Sequence, residues 1–148
     1  MAVRPIPEGY RTFTPYYVIE GASDFIDFLK KAFGAEERMR MPGPNNMVMH
    51  CELVVGGSTV MVSDSMQDPP THAATHYYVA DCDAVVQRAT AAGCKTIQPP
   101  TNMPWGDRFA RLEDKWGNRW SIATHVEDVP EAEMKKRMEK MMQEMQQK

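Results

Sequence analysis

Long apolar runs are missing from this chain of 148 residues, and no stretch approaches the roughly 18 consecutive apolar residues of a membrane helix. The N-terminus, Met1-Ala2-Val3-Arg4-Pro5-Ile6-Pro7-Glu8, also lacks the apolar core of a secretion signal. Cysteine is scarce: Cys51, Cys82 and Cys94 are odd in number and form no C-x-x-C pair, which argues against a disulfide scaffold and for reduced thiols. The expectation is a soluble cytoplasmic protein with no membrane partner. An excess of one charge is absent as well, since 17 basic and 20 acidic residues mix along the chain for a net charge of -3. That excludes a basic nucleic-acid-binding face. A composition 43% hydrophobic and 25% charged fits one globular domain, or two halves sharing a core. At this length a chain buries roughly 68–70% of its unfolded surface, so neither a disulfide nor a metal is needed to hold it together. What the chain has in unusual supply is methionine, 13 residues.

Hydrophobic patterning divides the chain into two similar halves. Thr14-Pro15-Tyr16-Tyr17-Val18-Ile19 reads as a strand. A helix follows, capped by Ser23 or Asp24, with Phe25, Ile26, Phe28, Leu29 and Phe33 on one face and Gly34 at its end. Strands are expected over Glu37–Met41, Met47–Val55 and Ser58–Ser63, separated by the Pro42–Asn46 turn and Gly56-Gly57. Thr75-His76-Tyr77-Tyr78-Val79 echoes Thr14-Pro15-Tyr16-Tyr17-Val18, and the order repeats. A helix capped by Asp81 or Asp83 ends at Gly93, a strand covers Lys95–Gln98, a proline-rich loop runs through Pro104, and strands span Arg108–Glu113 and Arg119–Thr124. Both halves spell βαβββ, with Pro69-Pro70 as the hinge. Beyond Pro130, Met134, Met138, Met141, Met142 and Met145 recur at helical spacing, predicting an amphipathic tail helix over Glu131–Lys148.

A duplicated βαβββ chain of this length resembles the vicinal oxygen chelate superfamily, the glyoxalase and bleomycin-resistance group. The segments Phe25-Ile26-Asp27-Phe28 through Phe33-Gly34-Ala35, Met41-Pro42-Gly43, Met49-His50-Cys51-Glu52-Leu53, Trp105-Gly106-Asp107-Arg108-Phe109 and Asp114-Lys115-Trp116-Gly117-Asn118-Arg119-Trp120 through His125 look like its PhnB-like branch. The resemblance implies an α+β fold in which two modules, 11–68 and 73–129, form curled half-barrel sheets within one domain over 11–129, with residues 130–148 as the added helix. It also implies a small-molecule ligand, a homodimer whose subunits share their sites, and either one divalent metal (zinc, nickel or manganese) or none. Carried over position by position, the metal pattern falls on Thr14, Glu52, His76 (or Ala74) and Ser121. Of these only Glu52 and His76 are good ligands, and a divalent ion normally takes three or four from the protein.

Strand alternation puts His50 and Glu52 on one face and Cys51 on the other. The pair reads either as a catalytic acid/base couple in a cavity or as polar residues facing solvent. Trp105, Asp107, Arg108 and Phe109, with Trp120, suit substrate binding by stacking and by an anion-binding guanidinium; the alternative is an Asp107–Arg108 pair that only orders the hairpin. Asp114–Asn118 reads as a structural turn, and His72 and His125 as surface residues. In each tyrosine pair, Tyr16-Tyr17 and Tyr77-Tyr78, one ring should face the helix and one the cavity. Two functions follow: a metal-dependent enzyme of the glyoxalase type, with Glu52 moving a proton, or a non-catalytic protein that sequesters a small molecule.

Overall fold

The computed structural model describes residues 2–66 and 68–147. Its first module runs β1 (Tyr16–Ile19), α1 (Ala22–Phe33), β2 (Glu36–Pro42), β3 (Val48–Val55) and β4 (Ser58–Asp64). The second repeats the order with β5 (Ala74–Tyr78), α2 (Cys82–Ala91), β6 (Lys95–Asn102), β7 (Asp107–Glu113) and β8 (Arg119–His125). Each module is a four-stranded mixed sheet, β1-β4-β3-β2 and β5-β8-β7-β6, in which the first strand runs parallel to the last and the other pairs are antiparallel. The α+β duplication expected from the patterning is present, as two curled open sheets.

Too short to be stable by itself in water, α1 depends on what its apolar face buries. Phe25, Ile26 and Leu29 are essentially inaccessible, packed on the face of the first sheet that carries Tyr17, Ile19, Cys51, Leu53 and Val62. Neither Ser23 nor Asp24 caps it. The cap residue is Gly21, and the acceptor comes from β4: Asp64 takes the N–H groups of Gly21 at 3.1 Å and Ala22 at 2.9 Å with one oxygen and that of Val48 at 2.7 Å with the other. A buried carboxylate from the end of the sheet reaches three orphan donors that a side chain in the helix's first turn does not. In α2 the expected Asp81 does cap, accepting from Ala84 N–H at 3.1 Å, and Thr124 at the end of β8 accepts from Cys82 N–H at 2.8 Å.

Among the described residues, no hydrogen-bonded strand joins the two sheets. Aromatic packing does: Trp120 stacks on Tyr17 with centroids 5.8 Å apart and meets Phe33 at 4.8 Å, while Trp116 stands edge-on to Phe25 at 5.1 Å. Tyr17 and Thr75 add a 2.8 Å side-chain hydrogen bond across the junction. The three cysteines are buried in this interior. Burial raises all three thiols, Cys94 to about 12, which keeps them protonated and inert.

Two further expectations are corrected. Tyr17 opposes Val62 and Tyr77 opposes Ile122, while the helices begin at Ala22 and Cys82; the structural equivalent of Tyr17 is therefore Tyr77, one residue away from the alignment suggested by the repeated Tyr-Tyr. Pro99 and Pro100 lie within β6 rather than in a loop; they are tolerated because β6 is an edge strand whose register shifts between Gln98 and Thr101. The tail helix, α3 (Glu131–Gln146), buries none of its residues. Met134, Met138 and Met141 are half-buried, whereas Met142 and Met145 are exposed. Arg137 anchors it through Glu127 (3.0 and 2.9 Å) and the carbonyl of Pro104 (3.2 Å).

Replacing Asp64 strands three backbone donors, so Asp64→Ala should cost about 3 kcal/mol and lower Tm by roughly 6–12 °C. Asp24→Ala should stay within about 0.5 kcal/mol of the parent. Thermal unfolding followed by circular dichroism checks both, and equal losses would remove Asp64 as the cap.

Candidate functional site

With one face of each sheet committed to its helix, alternation delivers the other side chains to an open face. In the first module these are Tyr16 and Val18 from β1, His50 and Glu52 from β3, and Met61 from β4, while Cys51 and Leu53 point into the core. Met39 of β2 and Met61 of β4 flank Glu52 in register. A hollow of about 540 Å³, lined by Tyr16, Val18, Met49, Ser63, Met66 and Asp68 among others, borders Tyr16 and does not reach Glu52.

His50 and Glu52 are brought together, Nε2 to Oε1 at 3.6 Å, and the hydroxyl of Tyr16 lies 3.5 Å from His50 Nδ1. At the other end the hydroxyl of Tyr10 donates to Glu52. That contact closes a polar chain Tyr10–Glu52–His50–Tyr16 across the sheet. Burial and the adjacent carboxylate push the Tyr10 phenol up to about 12, so it serves as a donor.

The second module presents an aromatic wall. His76 stacks on Phe109 with centroids 6.1 Å apart and stands edge-on to Tyr78 at 4.6 Å, and Trp105 meets Phe109 edge-on at 5.5 Å. Beneath the wall sits the carboxylate of Asp107, 4% exposed. It accepts from Tyr78 hydroxyl at 3.1 Å and Trp105 Nε1 at 3.2 Å, and it lies 2.8 Å from His125 Nδ1. Gly106 makes this corner possible: its φ is +102°, and a Cβ there would lie 2.2 Å from the carbonyl oxygen of Glu127, whose N–H bonds back to Gly106.

Other candidates are placed elsewhere. Arg108 follows Asp107 on the strand and therefore takes the helix side, where it forms a fork with Asp83 (2.7 and 2.9 Å) and reaches Asn102 at 3.2 Å. It pairs neither with Asp107 nor with the aromatic wall. Trp120 is 4% exposed in the core and donates to Asp114 at 2.9 Å, within a turn where Asp114 also binds Trp116 and Asn118. It borders a crevice of about 320 Å³ between the modules, lined by Tyr17, Leu29, Val60, Thr75 and Tyr77 among others. Glu52 and His76 stand on different sheets with separate partners, and among the described residues no group of three or more His, Cys, Asp or Glu is arranged to hold a metal.

Of the residues that join these networks, the sequence gives no pointer to Tyr10, offers Tyr78 only as one of a pair, and reads His125 only as a surface residue. His125 had a legible signal: counting outward from the Glu113–Arg119 pair that closes the β7–β8 hairpin sets Asp107 opposite His125. Tyr10 had none, because it meets Glu52 across 42 residues from a segment without regular structure.

The family described as Glyoxalase/Bleomycin resistance protein/Dioxygenase superfamily matches residues 17–122. The uncharacterized protein Mb0911c of Mycobacterium bovis is 34% identical over 128 residues, covering 78% of this chain and 84% of that one. Among solved structures, TioX from Micromonospora sp. ML1 is 26% identical with a TM-score of 0.63, covering 77% of this chain and 99% of that one. Protein PA1353 from Pseudomonas aeruginosa has a TM-score of 0.64 over 79% of this chain and 99% of that one, and its 20% identity makes the likeness one of fold.

His125 lies between two carboxylates, Asp107 and then Asp128 at 2.7 Å, which raise its imidazole above the ordinary 6.5. A pKa raised on folding gives a contribution complete below the unfolded value and lost as pH climbs through the folded one. Stability should therefore fall slightly as pH rises from near 6.5 upward, and His125→Gln should flatten that part of the profile. Titration of the His125 ring by NMR, alongside Tm against pH, checks the sign.

Proposed function

Since the chain belongs to the glyoxalase/bleomycin resistance protein/dioxygenase superfamily, we propose that it holds a small planar molecule against the open face of its second module, as a binding protein of the PhnB-like branch. The supporting observation is the wall of Tyr78, His76, Phe109 and Trp105, with two of its rings pinned by the buried Asp107. Rings held by packing and by a common acceptor lose little freedom when a ligand stacks on them, so the stacking energy is not spent on ordering the site. An aromatic ligand meets ring faces and edges together, worth about 0.5–1.5 kcal/mol per pair beyond area burial. An open face in one subunit leaves the ligand's far side exposed, and a second copy of the chain would cover it, making the working unit a homodimer.

A metal-dependent reaction is poorly matched by the donors. Glu52 and His50 supply two on the first module, Thr14 and Ser121 are poor ligands, and His76 lies on the other sheet. No step through a metal is derived. A catalytic reading without metal is favoured by one observation, the Tyr10–Glu52–His50–Tyr16 chain. There Glu52 would take a proton from a bound substrate while His50 returns it.

A panel of planar compounds including 9-aminoacridine, screened by thermal shift and quantified by calorimetry, tests the binding reading. Trp105→Ala and Phe109→Ala should each weaken binding by about 10-fold, and Arg108→Ala should leave it unchanged because its guanidinium is spent on Asp83. Equal affinity in Trp105→Ala would remove the wall as the site. Sedimentation at micromolar concentration should report a dimer.

A further inference from the structure

The N-terminal arm, residues 2–15, is exposed along most of its length, with Val3 and Phe13 each 93% accessible. Between its start and β1 it is held at few points. Thr59 donates to the carbonyl of Gly9 at 2.7 Å, Tyr10 donates to Glu52, and Met61 N–H donates to the carbonyl of Pro15 at 2.9 Å. All three anchor residues belong to β3 and β4, and Glu52 and Met61 are direct partners across the ladder. The arm therefore crosses the open face of the first module and sets one phenol on one carboxylate.

What surrounds that carboxylate suits a phenol. Met39 and Met61 stand in register on either side of Glu52, and thioethers are favourable, adaptable neighbours for an aromatic ring. His50 lies beyond the carboxylate at 3.6 Å, and Tyr16 beyond that, so the polar chain continues away from the incoming hydroxyl. A carboxylate acceptor selects an O–H donor and repels acids and phosphates.

We propose that the open face of the first module is a binding site for phenols, whose hydroxyl donates to Glu52, and that Tyr10 fills it in cis until a ligand displaces the arm. The arm is an internal competitor, so apparent affinity falls by the fraction of chains in which Tyr10 is away from Glu52. Release costs little in packing, because every residue from 2 to 13 except Tyr10 is exposed, and Tyr10 itself is only half-buried. This site is separate from the aromatic wall of the second module and stands or falls independently of it.

The probe is p-cresol, the tyrosine side chain as a free molecule, titrated by calorimetry into the full-length protein and its variants. Tyr10→Ala, which touches no core residue, should bind p-cresol about 10-fold more tightly than the parent. Glu52→Gln should bind it about 10-fold more weakly than Tyr10→Ala, toluene should not bind measurably, and Trp105→Ala should behave like the parent. A second readout follows the arm itself. Trypsin should cut the exposed Arg11–Thr12 bond faster when p-cresol is present, and fastest in Tyr10→Ala without any ligand. Equal p-cresol affinity in the parent and Tyr10→Ala, binding of toluene as tight as that of p-cresol, or cleavage at Arg11 indifferent to both ligand and substitution would each overturn the proposal. Loss of p-cresol binding in Trp105→Ala would also overturn it, by moving the phenol to the other module.

Discussion

The aromatic junction between the modules is the contact on which the rest depends. Two sheets that share no backbone hydrogen bonds are held in one body by Trp120 against Tyr17 and Phe33, and by Trp116 against Phe25 and Phe28. Both tryptophans come from the second module and most of their partners from α1, so the helix that covers the first sheet is also the bearing surface of the second. Burying rings of this size stabilises by about 1.5–3 kcal/mol each, far above a single surface ion pair. Asp114 secures the arrangement by accepting from Trp120 Nε1, which leaves that indole's polar edge satisfied in the interior.

Much of this architecture was legible because it rests on local rules. The spacing of Phe25, Ile26 and Leu29 dictates a helix face, alternation separates Cys51 from His50 and Glu52, and Gly-Gly after Val55 turns the chain back. The misreadings arose where a distant group overruled a local signal. Ser23 and Asp24 are good cap residues by type, yet Asp64 reaches the same donors from the sheet. Pro99-Pro100 reads as a break, but an edge strand with a shifted register leaves those positions without a ladder donor to lose. The Tyr-Tyr echo suggested an alignment that burial overrides, since Tyr17 and Tyr77, not Tyr78, turn toward the core.

The candidate sites divide along the same line. Trp105, Asp107 and Phe109 meet because they are neighbours on one hairpin, and periodicity alone carries them to one face. Arg108 looked equally suitable by chemistry, but parity carries it to the other side, where it pairs with Asp83. Tyr10 joins Glu52 only through the path of the whole arm, and residue types along the sequence give no notice of it.

The prolines of β6 carry a consequence for how this molecule meets copies of itself. An outermost strand normally offers a row of free donors and acceptors on which another chain can grow. Pro99 and Pro100 remove two backbone N–H groups from β6, the far edge of the second sheet, and the far edge of the first, β2, carries Glu36, Glu37, Arg38 and Arg40. Strand-by-strand extension is thereby discouraged at both outer margins. Association between copies is left to side chains, on the open faces or along the methionines of α3, where a mismatch can be reversed and does not propagate as a fibril would.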